Sequence, residues 1–84
     1  MNERVLLTMK YLDDNNSVTT QELLDNYKVA AEVADTAEAA ADVAYAADVY
    51  TDSAYAKNTI VRYFNITTEN KQDYINEIAK NKGE

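Results

Sequence analysis

The sequence predicts an all-α fold, and three observations carry that prediction. Glycine occurs once, at position 83, and proline never, so the first 82 residues lack both of the strongest turn formers. All-β folds need such residues at short intervals, and their absence leaves helices as the regular structure that the chain can build. The apolar residues also recur at helical spacing, and the polar interruptions contain helix-capping types. Eighty-four residues make one small domain, residues 1–84, with a thin core.

The first helix is expected over residues 3–12, where Val5, Leu6, Met9 and Leu12 share a face. The run Asp13-Asp14-Asn15-Asn16-Ser17 ends it. Thr19 stands three residues before Glu22, the spacing of a capping box, and Val18 and Leu23 occupy the positions of a hydrophobic staple around it. A helix therefore begins at about residue 20. Nothing from Thr20 to Phe64 forbids its continuation, which would give a rod about 67 Å long. The cap-type cluster Thr51-Asp52-Ser53 marks a break or bend near 50–53, giving expected helices over 20–50 and 53–64. Thr67 is then expected to cap a last helix over 68–81, with Tyr74, Ile75 and Ile78 facing inward and Lys80 near its C-terminal end. The segments Val18-Thr19-Thr20 and Ile66-Thr67-Thr68 look alike, which convergence of cap residues explains and which duplication of a helix–turn–helix unit would also produce.

The central residues 29–56 hold 12 alanines and six acids, with no Lys or Arg. They carry −6 of the net charge of −7. On one helix Glu32, Asp35, Glu38 and Asp42 share a sector, while Val29, Val33, Ala37, Ala40, Ala44 and Ala47 fall opposite. Small side chains let helices approach closely, in cis or between copies, so this second face is the expected self-association face, a dimer being favoured. The acids, with Asp48 and Asp52, form a candidate partner-binding face for a protein with a basic surface. Glu38–Asp42 and Asp48–Asp52 are like-charged i,i+4 pairs with nothing to neutralise them. Tyr45, Tyr50 and Tyr55 are candidate contact anchors, because tyrosine offers a rigid apolar body with a polar tip.

The composition excludes much chemistry. Without Cys or His there is no nucleophile–imidazole pair, no disulfide and no thiolate or imidazole metal site. No Gly-rich phosphate loop exists, and Asp13-Asp14-Asn15-Asn16 lacks the glycine and distal Glu of a calcium loop. No catalytic residue, cofactor or metal is therefore expected. A basic patch for direct nucleic-acid binding is missing, and no apolar run is long enough to insert in a membrane. No secretory leader is recognisable, so the expected location is the cytoplasm.

The Ala-Tyr-Asp texture of residues 33–56, followed by Arg62-Tyr63-Phe64 and Glu69-Asn70-Lys71-Gln72-Asp73-Tyr74, resembles small accessory proteins of T-even-type bacteriophages. The resemblance is compositional, covers about half of the chain and includes no diagnostic motif. It implies a phage accessory factor acting on a host or phage protein in the host cytoplasm. Two function classes are expected: a non-enzymatic, self-associating protein-binding factor or inhibitor, and an acidic mimic of nucleic acid that blocks a DNA- or RNA-binding protein such as a host-defence component.

Overall fold

The computed structural model describes residues 1–32, 38–47 and 53–82, and among them the regular structure is helical. The helices are α1 (Glu3–Asp13), α2 (Thr20–Glu32), α3 (Glu38–Tyr45), α4 (Ser53–Ile66) and α5 (Lys71–Lys82), with a 3₁₀ turn at Asn15–Ser17. The protein is all-α, as the composition predicts.

Each helix start has a local cause. Asn2 caps α1, its side-chain oxygen accepting from the backbone N–H of Arg4 at 2.9 Å and of Val5 at 3.3 Å. At α2 both bonds of the capping box form: Thr19 N–H donates to Glu22 Oε1 at 3.0 Å, and Glu22 N–H donates to Thr19 Oγ1 at 3.1 Å. Val18 and Leu23 are both buried in the small cluster that includes Ala47, with Leu7 and Tyr11 packed against it.

Two expectations about helix layout are corrected. The central segment is not one helix over 20–50. Its α2 and α3 portions pack against each other, and the rings of Tyr27 and Tyr45 lie 5.5 Å apart. In a continuous helix those two positions would be about 27 Å apart. A long rod would leave its slim apolar stripe largely in water, whereas folding back buries it. The proposed break at 50–53 lies outside the described residues, apart from the start of α4 at Ser53. The second correction concerns Thr67, which closes α4 rather than opening α5. Its N–H and hydroxyl both donate to the carbonyl of Tyr63, at 3.1 and 2.9 Å. Asn70 caps α5 instead, accepting from Gln72 N–H at 2.8 Å, as expected for the stronger N-capping residue. The likeness of the two Thr-Thr segments therefore does not extend to their roles.

The short helix α3 is the centre of the molecule, with α1, α2 and α4 packed around it. Ala40, Val43 and Ala44 are buried, and so are Ala46 and Ala47 in the π-type turn that extends α3. Ala40 and Val43 join Val5 and Met9 of α1, Ile60 and Tyr63 of α4 and Tyr74 of α5 in the main core. Polar links add registration. The buried Asn26 of α2 donates from Nδ2 to the Arg4 carbonyl of α1 at 3.1 Å, and the buried Thr8 hydroxyl donates to the same oxygen.

Because Ala44 is only 1 % exposed between packed helices, Ala44→Leu should overpack the centre. The expected loss is about 1–3 kcal/mol in urea unfolding. Ala31→Leu, on the exposed side of α2, should change stability by less than about 0.5 kcal/mol.

Candidate interaction site

The residues that the sequence nominates do not form one site. Ala40, Ala44 and Ala47 of the expected self-association face are covered by helices of the same chain, so they offer no area to a second copy. Val29 is 45 % exposed on α2, apart from them. Val33 and Ala37 lie outside the described residues. The fold-back also divides the acidic stripe: Glu32 is exposed at the end of α2, whereas Glu38 and Asp42 belong to α3. Contrary to the expectation that nothing neutralises it, Asp42 is paired from another helix, its Oδ2 accepting from Arg62 Nη1 of α4 at 3.0 Å. Both partners are substantially exposed, so the bridge contributes at most about 1 kcal/mol. Asp35, Asp48 and Asp52 lie outside the described residues. Tyr45 is exposed and packs on Tyr27, Tyr55 is exposed on α4, and Tyr50 is not among the described residues.

The structure brings a different set of side chains together. Where α1, α4 and α5 meet, two adjoining hollows share Met9 and Asp13. The larger, of about 390 Å³, is bounded by Leu12, Ile60 and Val61, with Lys57 and Lys71 also lining it. The smaller, of about 330 Å³, is bounded by Ile75, Ile78 and Ala79. Together they form an apolar groove whose floor is part of the core: Met9 and Ile60 are buried, and Leu12 and Ile78 pack against them. Its walls are open, with Val61 51 % and Ile75 42 % exposed. Ile75 thus faces outward, contrary to the inward orientation expected for it, because Tyr74 and Ile78 supply the buried side of α5.

One edge of this arrangement is held by a polar network. Tyr74 is 1 % exposed, yet its hydroxyl accepts from Asn2 N–H and donates to Glu69, which also accepts from the Tyr63 hydroxyl. Phe64 sits edge-on to both tyrosines, with centroids 5.2 and 5.1 Å away. The network ties the start of α1 to α4 and α5 and so fixes the helices that frame the groove. Burial, and secondarily the bond to Glu69, pushes the Tyr74 hydroxyl up to about 12. A third hollow of about 530 Å³ opens beside Tyr74 and carries Glu69, Asp73 and Glu77 with Lys80. Among the described residues no three carboxylates converge as metal ligands would, and no helix is long and apolar enough to cross a membrane.

No family model matches the chain, and no curated protein or solved structure shows significant similarity to it.

The Tyr74 hydroxyl gives the network a pH signature. Its folded pKa is about 12, above the ordinary 10.0. Its contribution is therefore complete below pH 10 and is lost as the pH rises through about 12. Tyr74→Phe should cost about 1–3 kcal/mol at neutral pH, since the Asn2 N–H loses its acceptor. It should also flatten the decline in stability between pH 10 and 12, as followed by urea midpoints across that range.

Proposed function

We propose that this protein is a non-enzymatic binding protein that docks a partner protein in the groove between α1, α4 and α5. The observation that carries the reading is the groove itself: Val61 and Ile75 stay exposed beside core residues that their own helices bury. Leaving such apolar area in water is unfavourable, and contiguous exposed apolar surface is characteristic of interaction sites. In the setting implied by the resemblance to phage accessory proteins, the partner is a host or phage protein and the site of action is the host cytoplasm.

The acidic-mimic reading keeps support from the composition, since the centre of the sequence carries −6. The geometry favours it less. Its stripe is divided between two helices, and Asp42 is already paired with Arg62. Self-association draws less support than the sequence suggests, because the described alanines of that face are internal.

The two readings separate in a capture experiment with the tagged chain in the cells that naturally produce it. Val61→Glu/Ile75→Glu disables the groove at exposed positions, and Glu32→Lys/Glu38→Lys reverses acids that make no ion pair among the described residues. Asp42 is left unchanged, because reversing it would set a lysine against Arg62. Docking in the groove predicts a partner lost at least about tenfold with the first variant, retained with the second and retained in about 0.5 M salt. A partner lost with the acid reversal and with salt, but kept when the groove is disabled, would establish the mimic instead.

A further inference from the structure

Resting on that reading of the groove, we infer that its occupant is an amphipathic helix of another protein whose apolar stripe is flanked by carboxylates. The shape supplies the first half of the argument. Two adjoining hollows of about 390 and 330 Å³ share Met9 and Asp13, so they lie side by side along α1. Side chains at i and i+4 of a helix project side by side from one ridge, and such a pair fits two neighbouring hollows.

Charge supplies the second half. The chain carries −7, yet the two charged side chains that join Asp13 around the larger hollow are Lys57 and Lys71. Neither lysine forms an ion pair among the described residues. Asp13, which lines both hollows, already has an interaction within the chain. Fields from the distant acids fade over about 8 Å at physiological salt, so charge selection at the groove is set locally, by two lysines against the one carboxylate of Asp13. Their stems can lie along the apolar wall while their ammonium groups meet carboxylates beside the partner's stripe. A second copy of this chain is the poorer occupant. The lining of this face holds two lysines against the one carboxylate of Asp13, so two copies meeting through it would bring together faces of like net charge.

The test uses the full chain and three synthetic helical peptides of about five turns. They share one Leu/Ile stripe and differ only in carrying Glu, Gln or Lys beside it. Binding is followed by amide and methyl NMR shifts. The Glu-flanked peptide should shift Met9, Ile60, Ile75 and Ile78, and should bind about tenfold more tightly than the Lys-flanked one. Lys57→Glu/Lys71→Glu should invert that order. Equal affinities in the groove would overturn the carboxylate inference while leaving the docking reading intact. So would a preference for the Lys-flanked peptide, the one that net charge alone favours. Groove residues unmoved by all three peptides would overturn both. A concentration-dependent doubling of mass that Val61→Glu/Ile75→Glu abolishes would replace the helix with a second copy.

Discussion

The structure depends on the close approach of helices around the alanines of α3. Alanine buries little area, so no single contact there is strong. It gains instead by proximity, since small side chains let neighbouring helices approach and fill the interior without voids. An eight-residue helix, flanked by α1, α2 and α4, thereby acts as the axle of an 84-residue molecule. The larger core side chains, Val5, Met9, Ile60, Tyr63 and Tyr74, then cover one side of that axle and seal the rest of the core.

The same constraint determines what is left outside. With α3 enclosed, Glu32 sits on a different helix from Glu38 and Asp42, and Asp42 comes within reach of Arg62 on α4. With α1 and α4 packed against α3, α5 packed on α1, and these helices tied together through Asn2, Tyr74, Glu69 and Tyr63, their outward apolar residues frame a groove rather than a flat surface. The groove is thus a consequence of how the core is built, and its floor is the core itself.

Much of the local structure was legible in the residues. The capping box at Thr19 and Glu22 is encoded within four positions, so reading it required no knowledge of the fold. The fold-back between α2 and α3 was not legible, because no glycine or proline marks it; it is favoured by burial that appears only when α1 and α4 are present. Thr67 was misread because the same hydroxyl that can open a helix can also bond back to a carbonyl and close one. The candidate site was hidden for a related reason. Ile75 and Val61 adjoin core residues in sequence, so periodicity assigned Ile75 to the core and gave Val61 no separate role. The available signal was an apolar face on α5, from Tyr74 through Ile75 to Ile78, broader than one short helix needs to bury.

The described alanines of the expected self-association face are buried by their own chain, with α2 and α3 folded against each other. Nuclear Overhauser contacts between the rings of Tyr27 and Tyr45, measured on labelled chains and on a mixture of labelled and unlabelled chains, test this most directly. Folding within one chain should give strong contacts inside that chain, in keeping with the 5.5 Å ring separation, and none between chains in the isotope-filtered spectrum of the mixture. Missing contacts would rule out the fold-back in favour of a continuous rod, and contacts found only between chains would return the alanine face to self-association.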